Sequence, residues 1–227
     1  MSNFESVSVN KEKTGEKVLV ILRKKIMLGQ LKSGFHLKET VLSKELGVSR
    51  GPIREAITQL ESEGLVSTHS NGRTAVEGFS IKDLENLYNT RINLETYAIS
   101  QLTSKDIESG KADLYRCLEM MEEGYEKGER DVEADLLFHE LLIKSTGNKT
   151  LIQLWKSLQG IVKTLIYVTS DYTGHQKEII EEHILVVKSL EMGEFKKAQD
   201  QLESHLKGAL EFYKKAAILL REDENEK

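Results

Sequence analysis

Residues 38–63 read KETVLSKELGVSRGPIREAITQLESE, which predicts two short helices joined by a tight turn. Gly47 supplies a residue that can adopt a positive φ where the first helix ends. Ser49 follows as the N-cap of the second helix, and Pro52 suits its first turn because a backbone N–H there has no intrahelical partner. The stretch indicates a helix-turn-helix whose second helix enters the major groove of DNA.

The second helix presents polar side chains opposite an apolar stripe. The stripe recurs at helical spacing, at Ile53, Ala56, Ile57 and Leu60. Arg50 and Arg54 therefore project outward, and a guanidinium can donate to both O6 and N7 of guanine, with about 1 to 3 kcal/mol of discrimination for a good pair. Lys38 and Lys44 are candidates for phosphate contacts or for plain solvated side chains.

An alternating pattern follows the helix-turn-helix after Gly64 and predicts a two-stranded hairpin with a turn at Ser70 to Gly72. A hairpin in this position is a wing. Its tip would place Asn71, Gly72 and Arg73 near the DNA backbone or the minor groove.

The chain is long enough, at 227 residues, for two domains with separate cores. We expect a flexible arm at 1–13, a winged helix-turn-helix domain at 14–78 with its motif at about 38–63 and its wing at about 65–78, an all-α domain at 79–220, and a frayed tail at 221–227. The formal charge of −5 divides into a balance of +3 for residues 14–78 and −8 for residues 79–227. The basic charge therefore lies with the DNA-binding motif.

The second domain is predicted to be an antiparallel helical bundle. No strand signal occurs after Ser80, and short connections separate six helical stretches. These stretches lie at about 80–102, 105–127, 130–145, 148–170, 175–192 and 194–220. The predicted fold class is therefore mainly α, with a winged helix-turn-helix followed by an all-α bundle.

The composition excludes several classes of protein. Hydrophobic content of 39% and charged content of 30% are typical of a soluble globular chain, and no apolar run approaches the ~20 residues that span a membrane. The first residues contain no apolar core of a signal peptide. Since Cys117 is the single cysteine, no internal disulfide can form, and we expect a cytoplasmic protein.

Four polar residues of the second domain lie on apolar faces of their helices. Asp135 and His139 are one helical turn apart. His183 and His205 lie roughly 15 and 18 Å from the hairpin at Gly193, so they should stand at nearly the same level. One carboxylate and three imidazoles predict a divalent metal ion, zinc foremost, with nickel, manganese or iron(II) as alternatives, and with positions open for water or a ligand oxygen.

Other interpretations of these residues stay open. A single inward histidine can be a hydrogen-bonded core residue, and Asp135 with His139 can form a local salt bridge. The remaining histidines fit the metal site less well. His36 and His69 belong to the first domain, and His175 begins a helix, where a capping or solvent-facing role fits.

Arg91 lies on the inner line of its helix, one turn before Glu95. One interpretation is an ion pair between these two residues, worth a few tenths of a kcal/mol if exposed. The other is a guanidinium that faces the metal cavity and holds a carboxylate by two hydrogen bonds.

Together the two halves resemble the GntR family of bacterial transcription regulators, in the subgroup with a FadR-type C-terminal ligand-binding (FCD) domain. The resemblance covers roughly residues 14 to 215. The first half carries LKETVLSKELGVSRGPIREAITQLESEGLV, and the second carries DLLFHELLIKSTGN, EEHILVVKSLEMGE and ESHL. These segments are similar to the winged-helix signature and to the metal-binding elements of the family.

The resemblance implies roles for particular residues. Arg50 and Arg54 would contact a palindromic operator, the wing tip would follow a groove, and the C-terminal domains would form a homodimer. The metal ligands would be Asp135, His139, His183 and His205. Arg91 would help to bind a small organic acid. Two positions depart from the pattern, since Thr40 stands where some members have a DNA-contacting arginine, and the wing reads HSNGR where an arginine followed by glycine is common.

These observations predict a transcription regulator, a repressor, whose operator affinity is controlled by a small carboxylate effector. In one alternative the metal is structural or is itself the signal. In another the chain is a DNA-tethered metal-dependent hydrolase. Against the hydrolase, no second inward carboxylate is placed as a general base, because Glu140 and Glu182 adjoin ligands in the sequence and are expected to point elsewhere.

Overall fold

The computed structural model describes residues 14–169 and 176–225, with side chains as far as residue 219. The predicted arm at 1–13 and His175 lie outside these ranges. The chain divides into two compact units, the second of which comprises Ile81–Ala216. Within the described ranges, no helix is both long enough and apolar enough to cross a membrane.

Three helices build the first unit, namely α1 (Thr14–Met27), α2 (Glu39–Leu46) and α3 (Arg50–Ser62). Gly47 ends α2 with a φ of 65°, the left-handed conformation expected of a glycine there. Ser49 has the extended backbone of an N-cap at the start of α3, but its side chain makes no capping hydrogen bond. The apolar stripe predicted for α3 is buried in the core of this unit.

A three-stranded antiparallel sheet completes the first unit, where the sequence predicted a two-stranded wing. The predicted hairpin is formed by β2 (Val66–Thr68) and β3 (Thr74–Val76), and β1 (His36–Leu37) pairs with the other edge of β3. His36 lies opposite Ala75. Sequence alternation could not identify β1, because two residues are too few to define a period.

A buried ion pair joins α1 to the end of α3. Arg23 donates through Nε and Nη2 to the two carboxylate oxygens of Glu63, at 2.8 and 2.6 Å. The side chains are 5% and 2% exposed. A two-pronged pair of this kind fixes direction as well as distance, so it holds the C-terminal end of α3 against α1.

The second unit contains five whole helices and a sixth as far as Ala216, and the mainly α fold class predicted from the sequence is confirmed. They are α4 (Ile81–Gln101), α5 (Ser104–Glu126), α6 (Val132–Ser145), α7 (Lys149–Thr169), α8 (Gln176–Glu191) and α9 (Phe195–Asn225). The backbone of α9 stays helical into the stretch 221–227 that was predicted to fray. Its arginine and glutamates have high helix propensity, which accounts for the longer helix.

The central helix of this unit is α6, which contacts α4, α5 and α7. Asp131 caps its start, because its side chain accepts a hydrogen bond from the Ala134 N–H at 2.9 Å. Apolar residues are buried on most sides of the helix, so Asp135 and His139 lie in the interior at 4% and 0% exposure. Polar groups at this depth need partners, since burying them unpaired is costly.

Candidate functional site

Asp135, His139, His183 and His205 come together between α6, α8 and α9. One ring nitrogen from each histidine lies within 4.8 Å of the others. The Nε2 atoms of His139 and His183 are 3.3 Å apart. Asp135 Oδ1 lies 3.5 Å from the first of these nitrogens and 3.7 Å from the second.

The Nδ1 atom of each histidine faces a hydrogen-bond acceptor. His139 Nδ1 lies 2.5 Å from Glu95 Oε2, and His205 Nδ1 lies 2.7 Å from Glu182 Oε2. His183 Nδ1 lies 2.7 Å from the Ile179 carbonyl oxygen. Each acceptor favours a proton on Nδ1, which leaves the Nε2 lone pair for another partner.

The positions of the three histidines fit a bound cation better than a set of core histidines that only hydrogen-bond with one another. Two unprotonated Nε2 atoms that face each other repel, so a cation between the rings would relieve the short His139–His183 contact. Two ligands at about 2.1 Å from one ion are about 3.0 to 3.4 Å apart in octahedral or tetrahedral coordination. The observed 3.3 Å separation matches that range, and the residues present therefore fit a metal ion of the nitrogen and oxygen type.

Two of the histidines are held neutral, which is the form that binds metal. Burial lowers the pKa of His183 well below its ordinary value, and the neighbouring His205 lowers it further. Burial also lowers the pKa of His205, although Glu182 acts in the opposite direction.

The other two members of the cluster attract positive charge. Burial alone would lower the pKa of His139, but the Glu95 and Asp135 carboxylates together outweigh burial and raise that pKa. Burial would raise the pKa of Asp135, but Arg130 and the histidines hold it well below its ordinary range. Asp135 is therefore an anion in the interior of the bundle.

Arg91 combines the two interpretations that its sequence position left open. It is 2% exposed, and its Nε donates to Glu95 Oε1 at 2.6 Å. Its Cζ lies 5.5 Å from the ring centroid of Tyr88 and 5.3 Å from that of Trp155. The Nη2 atom is buried without a hydrogen-bond partner. Arg91 therefore forms the predicted ion pair with Glu95, and the pair is buried. Its Nη2 remains able to donate to a further acceptor.

A cavity of about 260 Å³ lies beside the histidine cluster. Its polar lining includes Arg91, Arg130, Asp135 and His205, and its apolar lining includes Ile166 and Phe212. Concave sites with a few converging polar groups on an apolar wall are typical of small-molecule sites. The cavity has the size and the cationic groups to enclose a small acid.

A second candidate surface lies in the first unit, at the start of α3. Arg50, Arg54, Thr40 and Ser49 are all exposed there. Arg54 is not free, because its Nε donates to both carboxylate oxygens of Glu39 on α2 at 2.9 Å. The pair is itself exposed to solvent, so another partner can replace it.

The wing tip carries the other predicted DNA-binding residues. Gly72 adopts a φ of 75°, which closes the turn between β2 and β3. Asn71 Oδ1 accepts a hydrogen bond from the Arg73 backbone N–H at 3.0 Å. The Arg73 side chain remains exposed at the tip.

Comparison with known proteins identifies the family. The profile described as "Bacterial regulatory proteins, gntR family" matches residues 14–76, and the FCD domain profile matches residues 86–208, more than half of the chain. The chain belongs to the GntR family. The resemblance noted in its motifs is thereby confirmed, and this GntR-family protein is a DNA-binding transcription regulator and not an enzyme.

Relatives of the GntR-family protein include the gluconate operon transcriptional repressor of Bacillus subtilis (strain 168), 30% identical over 189 residues, which are 80% of this chain and 77% of the relative. The HTH-type transcriptional regulator YdhC of the same strain is 32% identical over 191 residues, 81% and 84% of the two chains. Among solved structures, E. coli McbR/YncC matches with a TM-score of 0.61 at 20% identity, covering 91% of this chain and 98% of the other. That likeness shows the same fold.

The sequence of the GntR-family protein did not reveal every residue around the cavity. Arg130 lies in the connection between α5 and α6, where no periodic pattern marks inward positions. Tyr88 lies on the inner line of α4 but carries no motif, although it lines the cavity. Glu95 was considered only as a partner of Arg91, whereas it also contacts His139.

The prediction that Glu182 points away from the cluster is wrong. Its Oε2 lies 2.7 Å from His205 Nδ1, and the residue lines the cavity. Adjacent positions on a helix differ by about 100°, so Glu182 faces α9 while His183 faces α6. Glu140 does point elsewhere, since it pairs with Lys144 at 2.8 Å.

Proposed function

We propose that this protein is a cytoplasmic repressor that binds a palindromic operator as a homodimer. Its operator affinity is controlled by a small organic acid that binds beside a divalent metal ion in the second unit. The observation that carries this proposal is the set of three histidines whose Nδ1 atoms face acceptors, beside a cavity lined by Arg91. Repression is supported by the names of two relatives, the gluconate operon transcriptional repressor and the probable D-xylose utilization operon transcriptional repressor.

The metal would be held by Asp135, His139, His183 and His205, with zinc as the first ion to test. When bound, it would act as a Lewis acid toward a carboxylate oxygen of the effector. Glu95 and Glu182 would orient His139 and His205 through their Nδ1 atoms. Arg91 would donate its unpartnered Nη2 N–H to the same acid, and its Nε would stay paired with Glu95.

In the DNA-binding unit, Arg50 and Arg54 would read base edges, while Arg73, Asn71 and Gly72 would lie along a groove or the phosphate backbone. A single winged helix offers a small contact surface. Two copies joined by their second units would multiply the affinity and fix the spacing of the half-sites.

An acid can change operator occupancy only if it binds the DNA-free protein more tightly than the DNA-bound protein. A tenfold fall in operator affinity corresponds to about 1.4 kcal/mol of coupling. Gluconate is the first acid to test, because a relative is named for the gluconate operon.

The experiment measures operator binding by fluorescence anisotropy with zinc-loaded and metal-stripped protein, each with and without a panel of carboxylates. The operator is first isolated by selection from random DNA. We expect an acid to lower operator affinity only when zinc is loaded. If zinc alone switches binding and no acid has an effect, the metal is the signal and the effector proposal fails.

A further inference from the structure

Arg130 resembles Arg91 in how its side chain is held. Its Nη2 donates to Asp135 Oδ2 at 2.5 Å, and the side chain is 10% exposed. The Nη1 atom is buried and has no hydrogen-bond partner. Each arginine is thus paired with one carboxylate and also has a tyrosine neighbour, since Arg91 Nη1 lies 3.4 Å from the Tyr88 hydroxyl and Arg130 hydrogen-bonds with Tyr213. One nitrogen of each guanidinium has no hydrogen-bond partner.

Unpaired buried donors are uncommon in folded proteins, because each costs about 1 to 3 kcal/mol. Among the side chains that the structure describes, four buried nitrogen or oxygen atoms have no partner. Two of these four belong to Arg91 and Arg130, and both residues line the same cavity. Both guanidinium groups therefore lie at the wall of one cavity.

The two guanidinium groups are linked to the histidine cluster through different carboxylates. Arg91 is connected to it through Glu95, which contacts His139. Arg130 is connected through Asp135, whose other oxygen faces His139 and His183. The cavity volume of about 260 Å³ is larger than the space that one carboxylate group fills.

We infer that Arg130 is a second ligand-binding residue and that the cavity takes a small dicarboxylate. One carboxylate would be held by Arg91 and the other by Arg130. The inference rests on the proposed function, since it assumes that the cavity binds an acid. Apolar side chains in the lining, Ile166, Ile179 and Phe212, would pack against the carbon chain between the two ends.

The charges near the cavity agree with a dianion. The two arginines are balanced by Glu95 and Asp135, so among these buried groups a divalent ion would add two positive charges. Glu178 and Glu182 also line the cavity. Both are exposed, where solvent and salt screen their repulsion of an anion.

The test compares acids that differ only at their second end. Succinate is paired with butyrate, and glucarate with gluconate. Binding to the full-length, zinc-loaded protein is measured by titration calorimetry after excess zinc has been removed, because dicarboxylates chelate free zinc. Trp155, the sole tryptophan, gives a second readout by fluorescence, since its ring centroid lies 5.3 Å from Arg91 Cζ.

We expect at least one diacid to bind wild-type protein tenfold or more tightly than its matched monoacid. Arg130→Gln should abolish that advantage, whereas Arg116→Gln, at an exposed position of α5, should keep it. Zinc content and thermal unfolding of each variant show whether the cluster and the fold survive, and the wild-type comparison stands even if the Arg130 variant does not fold.

Three outcomes are informative. A diacid preference that depends on Arg130 supports the inference. Equal binding of diacids and monoacids, or a preference that persists in a folded Arg130→Gln protein, overturns the inference and leaves acid binding intact. No binding of any acid to zinc-loaded protein overturns the inference together with the effector proposal.

Discussion

Arg54 on the recognition helix shares its Nε hydrogen with both carboxylate oxygens of Glu39 on α2, at 2.9 Å each. The neighbouring carboxylate raises the pKa of the Arg54 guanidinium. Because both side chains reach solvent, the pair contributes little to folding stability. The pair matters because it fixes the position of the Arg54 side chain, which is expected to contact DNA bases.

Replacing Arg54 tests that role. Arg54→Ala should cost about 1 to 3 kcal/mol of binding to the operator, roughly 5- to 150-fold, and should flatten discrimination at one base position. The measurement is a competition assay with operators altered one base pair at a time. Arg116→Ala is the matched control, since it removes an exposed arginine from the other unit. Operator selectivity that survives Arg54→Ala would contradict the recognition-helix assignment.

Replacing Glu39 tests the pair from the other side. Glu39→Gln removes a negative charge close to the DNA-facing surface and weakens the contact that holds Arg54, so affinity for random-sequence DNA should rise while the ratio of specific to non-specific binding falls. Titrations over a range of salt concentrations measure both quantities. An unchanged ratio would mean that Glu39 does not position Arg54.

The histidine cluster predicts metal content. His183→Ala should lower the zinc bound per chain, as measured by elemental analysis after dialysis, because the variant loses a neutral imidazole from the centre of the cluster. His69→Ala, at an exposed position of the first unit, should retain the wild-type content. Equal zinc in both variants would remove His183 from the ligand set.

The two carboxylates that contact the histidines should differ in their effect on stability. Glu95 is fully buried between Arg91 and His139, so Glu95→Gln breaks a buried pair and should lower the free energy of unfolding by about 3 to 5 kcal/mol. Glu182 is 47% exposed, so Glu182→Gln should cost less than about 1 kcal/mol. Urea denaturation with the metal removed compares them, and equal losses would contradict the difference in burial.

Cys117 provides a probe of the second unit. It is 1% exposed, and burial raises the pKa of its thiol to about 11. We expect it to react with a thiol reagent at pH 8 far more slowly than a free thiol, and to react quickly once the protein is unfolded in urea. Fast labelling of the folded protein would show that α5 opens readily.

Residues on periodic helices could be predicted from this sequence, whereas residues in connections and side-chain pairs between helices could not. Helical periodicity placed Asp135, His139, His183 and His205 on inward faces, and the structure brings them together. Arg130 could not be recognised, since a five-residue connection has no period. The pairing of Glu39 with Arg54 joins two helices, and side-chain pairing of that kind depends on tertiary geometry that local patterns do not record.

The Arg23–Glu63 pair has a consequence for the entropy of DNA binding. It clamps the C-terminal end of α3, while the residues expected to touch DNA lie at the opposite end of the same helix. The backbone of α3 is therefore ordered before any encounter, so association needs to immobilise only side chains such as those of Arg50 and Arg54.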